Sequence, residues 1–163
     1  MIDALLAFAL LGEPQAAPAG RIGPSGLPVP RYASLKTNEV NARQGPSSAH
    51  PVLWVYHRTG LPLRITAESG NWRRIEDFEG DRAWVHVATL SPQRTTLITA
   101  QRVALRAGAK PKSRVRAWLQ AGLVAKLLDC KTGWRKLQVG RRTGWASSAD
   151  VWGAPACEAA PLA

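Results

Sequence analysis

The sequence predicts an all-β chain built as two tandem small β-barrels of about 60 residues each. Three observations carry that prediction. One pattern is written twice, each copy is cut into short β-rich runs by turn residues, and no stretch sustains a 3.6-residue apolar period. Val115 to Leu128 comes closest to helical spacing, and Gly122 interrupts it.

The repeat can be followed residue by residue. Val40-Asn41-Ala42-Arg43-Gln44-Gly45 aligns with Val103-Ala104-Leu105-Arg106-Ala107-Gly108 at an offset of 63, and Val52 falls on Val115 at the same offset. Gly60-Leu61 matches Gly122-Leu123 and Trp72-Arg73 matches Trp134-Arg135 at an offset of 62, while Trp84 matches Trp145 at 61. Loop insertions produce such drift, and the matches bound two modules at 34–91 and 95–153. In the first module, Glu39–Arg43, Val52–Tyr56, Leu61–Glu68, Trp72–Glu76 and Arg82–His86 read as strands. Gly45-Pro46-Ser47-Ser48, Thr59-Gly60, Ser69-Gly70-Asn71 and Glu79-Gly80-Asp81 read as the turns between them. Five short strands are too few for a broad sandwich, but they can close into a small barrel without exposed edges.

The flanks bear on compartment. Ala4 to Leu11 is an eight-residue apolar run, short of the roughly 20 residues that span a bilayer. Small residues from Gln15 to Gly20 follow it. That order resembles the back half of a secretory signal peptide, so residues 1–19 are expected to be a cleaved leader and the product periplasmic or secreted. Met1-Ile2-Asp3 carries no positive charge, which leaves two readings: a start further upstream, or a buried helical turn. Residues 20–33, rich in Gly and Pro, read as a linker or entry arm, and 154–163 as a tail.

Composition narrows the function classes. The 163 residues carry 22 Lys+Arg against 11 Asp+Glu, a net charge of +11, with 45% apolar residues, which is ordinary for a globular chain. The length suits one domain or two very small ones and is short for a multidomain enzyme. Seven Trp stand against two Tyr and two Phe. Two Cys cannot build a four-thiolate zinc site, and neither a metal nor any other cofactor is indicated.

The motifs resemble the bacterial SH3 (SH3b) family. Its pattern is V-N-x-R-x-G-P, then a G-x-x-hydrophobic strand, a W-hydrophobic strand and a G-W-V strand ending near a leucine. Here those are Val40 to Pro46, Gly60-Leu61-Pro62-Leu63, Trp72-Arg73-Arg74-Ile75 and Ala83-Trp84-Val85, closed by Leu90. The second copy has Val103 to Gly108, Gly122-Leu123, Trp134-Arg135-Lys136-Leu137 and Gly144-Trp145-Ala146, closed by Val151-Trp152-Gly153, and it departs from the pattern at Ala104 and Ala109. The tandem arrangement is similar to exported SH3-type proteins of Gram-negative bacteria. The resemblance implies SH3-like barrels that bind peptides or cell-wall polymers, often beside a hydrolase domain. Many relatives carry a cysteine where Arg135 stands here, which makes Cys157 a candidate substitute partner for Cys130. In an exported chain the two thiols are expected to pair and pin the tail.

Several residues are candidates for binding. Trp72, Trp84, Trp134 and Trp145 recur at equivalent places; each either anchors a small barrel or lines a groove where flat rings stack on sugars or proline-rich peptide. Trp54 and Tyr56 share a strand face and, with Trp118, form a less symmetric second set. Arg43 and Arg106 precede a turn Gly, where a guanidinium can hold a ligand anion or the carbonyls of its own loop. Charge divides the modules: residues 34–91 carry seven Lys/Arg and six Asp/Glu, whereas 95–153 carry twelve and two. Lys110, Lys112, Arg114 and Arg116, with Arg141 and Arg142, mark an anionic-partner patch.

An enzyme is not indicated. His50, His57 and His86 all lie in the first module while Cys130 lies in the second, so no Cys-His pair is suggested. No nucleophile elbow, zincin motif or phosphate loop occurs. The acidic run Glu76, Asp77, Glu79 and Asp81 lacks calcium-loop spacing and reads as a solvated hairpin turn. The reading that follows is a non-catalytic envelope protein whose partner is a cell-wall polymer or an envelope protein, with an anionic lipid or lipopolysaccharide surface as a further partner. Two rivals remain: a cytoplasmic nucleic-acid-binding barrel protein, and a structural subunit of an envelope complex.

Overall fold

Strand alternation and glycine-marked turns build the same sheet twice. The computed structural model describes residues 20–155 and Cys157; the expected leader, 1–19, lies outside the described residues. The first module comprises β3 (Arg31–Leu35), β4 (Val40–Arg43), β5 (Val52–Tyr56), β6 (Pro62–Ser69), β7 (Trp72–Glu76), β8 (Arg82–His86) and β9 (Leu90–Ser91). The second comprises β10 (Thr95–Ile98), β11 (Arg102–Arg106), β12 (Val115–Gln120), β13 (Val124–Lys131), β14 (Trp134–Val139), β15 (Arg142–Ser147) and β16 (Val151–Trp152). The sheet orders correspond one to one: β5-β4-β8-β7-β6-β3-β9 and β12-β11-β15-β14-β13-β10-β16, with every pairing antiparallel. Even the irregularities repeat, at Ala42/Arg43 and Leu105/Arg106, and at Ile65/Ala67 and Leu127/Asp129. The chain is all-β, in two tandem SH3-like modules.

Aliphatic residues fill both barrels. Leu35, Val40, Ala42, Leu63, Ile65, Ile75 and Val85 form the first core; Ile98, Val103, Leu105, Leu119, Leu127 and Leu137 form the second. The four repeated tryptophans belong to neither cluster. In β7 and β8, Ile75, Ala83 and Val85 point inward, so Trp72 and Trp84, one residue out of phase, lie on the outer face. Trp145 is the most covered of the four, at 8% exposure a buried residue, and it lies beneath the Lys131 amine. Trp72 and Trp84 thus take an outer-face position, while Trp145 keeps the character of a buried anchor.

The modules are joined by side chains as well as by the chain. Leu97 of β10 packs into the first module's core. Thr95 Oγ1 donates to Gly60 O at 2.7 Å and Ser34 Oγ to Gln93 O at 2.8 Å. Gly60 and Gly122 hold equivalent turns with φ near +80° (80° and 83°), a conformation that favours glycine. Arg58 reaches the Gly122 carbonyl across the junction, and Tyr32 meets Trp152 edge-on at 5.5 Å.

The segment read as a linker is a docked strap. β1 (Arg21–Ile22) and β2 (Pro28–Val29) pair as a hairpin, and Arg31 already belongs to the first sheet. Glu68 holds the strap: its carboxylate accepts from Ser25 N at 2.9 Å and Ser25 Oγ at 2.8 Å, and pairs with Arg31 at 2.6 Å.

Candidate functional site

Two aromatic surfaces form, and they lie on different faces of the strands. The first is the repeated outer face. On the first module, Trp72 meets His86 edge-on at 5.3 Å, and Trp84 lies between Arg43 of β4 and Arg74 of β7 in register. On the second, Trp134 lies opposite Ser147, and Trp145 lies between Arg106 and Lys136. Lys131 Nζ stands 5.2 Å from the Trp145 ring centroid, within cation–π range.

Trp54 and Tyr56 share a face, as the two-residue spacing predicts, and pack against the first core with their rings edge-on at 6.0 Å. Tyr56 donates to Asp77 Oδ2 at 2.9 Å. Burial, reinforced by that hydrogen bond, holds the phenol well above its usual range. Asp77 Oδ1 accepts from Glu79 N at 3.1 Å and Asp81 N at 3.0 Å, so the acidic run serves its own turn. Trp118 does not join this face. It pairs with Ala104 on the opposite side of its strand, and the positions equivalent to Trp54 and Tyr56 are Ala117 and Leu119. Trp118 is 52% exposed, with the Arg102 guanidinium 4.1 Å from its ring centroid.

The recurring arginines Arg43 and Arg106 hold their own loops. Arg43 NH1 donates to His50 O at 2.8 Å and Arg106 NH1 to Ser113 O at 2.9 Å. Of the basic patch, Lys110, Lys112 and Arg114 are exposed on the loop before β12 and Arg116 is exposed on β12, from where it donates to Thr143 O at 3.0 Å. Arg141 lies in the β14–β15 turn and Arg142 opens β15. Sequence reading missed Arg102 and Lys131, the two cations seated on tryptophans; their strand spacing to Trp118 and Trp145 crosses between strands and left no local signal.

Cys130 and Cys157 are free thiols and neighbours. Its hydrogen bond to Cys157 and then burial push the Cys130 thiol up. Arg135 NH1 donates to Cys157 Sγ at 3.3 Å and its NH2 to Pro155 O at 3.0 Å. Two small crevices of about 200 Å³ lie between the modules, beside Leu61, Phe78 and Leu97, and beneath the strap, beside Val29 and Glu68. Neither is lined by the candidate aromatics.

A model of the bacterial SH3 domain family matches residues 36–92 and 99–153. The chain is 26% identical over 130 residues to the "Putative N-acetylmuramoyl-L-alanine amidase YrvJ" of Bacillus subtilis (strain 168), a match covering 73% of this chain and 25% of that protein. It also overlays NlpC2 from Trichomonas vaginalis at 12% identity and a TM-score of 0.36, over 76% of this chain and 48% of the other. An NlpC/P60 family protein from Bacillus cereus ATCC 10987 gives 12% and 0.34, over 74% and 55%. The chain thus spans about a quarter of its curated relative (25%) and about half of these solved chains (48% and 55%).

Proposed function

Since the chain belongs to the bacterial SH3 domain family, we propose that it is a non-catalytic, extracytoplasmic binding protein whose modules hold peptidoglycan or an envelope peptide segment. The observation that carries this reading is the recurrence of large aromatic rings outside both core clusters, with Trp72, Trp84 and Trp134 half-buried on the sheet faces. Flat rings on a sheet surface outside any crevice suit a long chain lying across them better than a small molecule that needs enclosure. The relative's designation as an amidase of the cell-wall class supports the same ligand, and the match covers a quarter (25%) of that protein, in the region this chain shares. Export belongs to the proposal, as does a Cys130–Cys157 disulfide formed by loss of two hydrogens to an external thiol oxidant.

Pelleting of the full chain with purified peptidoglycan sacculi at low and high salt tests the reading. Binding is expected, and Trp72→Ala or Trp84→Ala is expected to weaken it about tenfold, roughly 1.4 kcal/mol, with an unchanged circular dichroism spectrum. Soluble protein in the supernatant at both salt concentrations would reject the proposal.

A further inference from the structure

At four register-equivalent positions of the outer face the second module gains a cation or a ring, against a carboxylate gained at Asp129, where the first module has Ala67, and a cation lost at Thr143, where it has Arg82. Arg102 stands where the first module has Glu39, Arg116 where it has Leu53, Trp118 where it has Val55, and Lys131 where it has Ser69. The first module folds into the same sheet, with the same bulge, without any of them, so the fold does not require the change. Nor does packing: Trp118 leaves half of its surface in water (52%), with the Arg102 guanidinium over its ring.

Arg102, Arg106 and Arg116 on β11 and β12, Trp145 on β15, Lys136 on β14 and Lys131 on β13 continue this face across the sheet. Arg106 and Arg116 each use one N–H on a carbonyl and keep the rest of the fork. The five strands carry one carboxylate, Asp129, opposite Lys136, which accepts from Cys130 N at 2.8 Å. Cations are therefore gathered around aromatic rings with little internal neutralisation.

We propose that this face, centred on Trp118, binds an acidic glycan strand of the wall. Carboxylates of the polymer lie on Arg102, Arg116 and Lys131, and a sugar ring lies on the open side of the Trp118 indole. The proposal rests on the envelope-binding reading and adds the side of the molecule, the module and the charge of the ligand. Guanidinium forks match carboxylates in geometry, and a flat indole matches the apolar face of a sugar.

The test uses the full chain with purified sacculi and with the same sacculi after their carboxylates are capped as amides. Trp118→Ala and the pair Arg102→Ala/Arg116→Ala are each expected to weaken pelleting about tenfold, and capping to weaken the wild type by a similar factor. Lys36→Ala, which removes an exposed charge from the loop between β3 and β4 of the first module, is expected to stay within about twofold. Trp118→Phe, which keeps a ring, is expected to retain most of the binding, guarding against a folding defect. Undiminished binding by both Trp118 and arginine variants, or by capped sacculi, overturns this proposal while leaving envelope binding intact. No pelleting of the wild type overturns both. Tighter binding to single-stranded poly-dT than to sacculi, through the same residues, overturns the glycan in favour of nucleic acid.

Discussion

Arg73 and Arg135 occupy the same position in the two modules, buried on the inner side of β7 and β14, and they hold different things. Arg73 donates to the carbonyls of Gly70 and Trp72 and lies 3.2 Å from Glu68 Oε1, its cross-strand neighbour. That carboxylate in turn fastens the N-terminal strap. Arg135 donates to the carbonyl of Trp134 in the same way, but its cross-strand neighbour is Cys130, and it fastens the C-terminal segment through Pro155 and Cys157. One register pair on a repeated scaffold thus clamps opposite ends of the chain, by charge in one module and by a thiol in the other. The chemistry of a single strand position decides which.

The largest effect should come from Glu68→Ala. The side chain is 1% exposed and faces two guanidiniums, and removing one partner of a buried ionic cluster costs about 3–5 kcal/mol. The equivalent Cys130→Ala strips no charge and should cost about 1 kcal/mol in the reduced protein. Urea unfolding of both variants checks the contrast; equal losses would mean that the charge at Glu68 matters little. Acid probes the same clamp. Burial alone would raise the Glu68 carboxyl, but hydrogen bonds from Ser25 and Arg31 outweigh it and bring it to about 2. The ionised form is thus the one the fold prefers. Its contribution is complete above the ordinary value of 4.5 and is lost as pH falls through about 2. Amide exchange of the strap should accelerate in that window and not in Glu68→Gln.

The contrast also explains what the sequence could and could not tell. Five of the seven strands of the first module and the Trp54–Tyr56 face follow from local alternation and turn residues, and these are legible. β3 and β10 are not: Arg31–Leu35 and Thr95–Ile98 join their sheets through long-range pairing with β6 and β13, and no neighbouring turn announces them. Trp72-Arg73-Arg74-Ile75 suggests an apolar Trp facing inward. The inward residues are Arg73 and Ile75, because an arginine can be buried where carbonyls and a carboxylate satisfy it. Phase along a strand is ambiguous when both faces carry large residues, and only the partner strand resolves it.

A smaller effect separates the same two modules at Tyr56. Its equivalent is Leu119, buried in the second core with no polar group to satisfy. The β7–β8 turn that receives the Tyr56 hydroxyl is acidic, whereas the β14–β15 turn carries Arg141, with Arg142 opening β15. Tyr56→Phe removes one hydrogen bond to Asp77 and leaves that residue's bonds to Glu79 and Asp81 in place. It should cost about 1 kcal/mol, read by thermal unfolding. A loss well beyond that would show that the turn depends on the phenol rather than on its own backbone amides.

The smallest effect is expected at the other clamp, under alkaline conditions. In the reduced protein the Cys130 thiol is raised above its ordinary value of 9.0, by its hydrogen bond to Cys157 and then by burial. The neutral form is therefore the one the fold prefers, so its contribution is complete below pH 9.0 and fades as pH rises through the shifted value. Acid should loosen the N-terminal strap and leave the C-terminal segment in place; alkali should do the reverse. A disulfide between Cys130 and Cys157 would remove the titrating thiol, so the alkaline response should vanish on oxidation and return with reductant. Amide exchange at Cys157 measured in both redox states reads this directly. An alkaline response that persists after oxidation would place its origin elsewhere, with Arg135 and Pro155 holding the segment unaided.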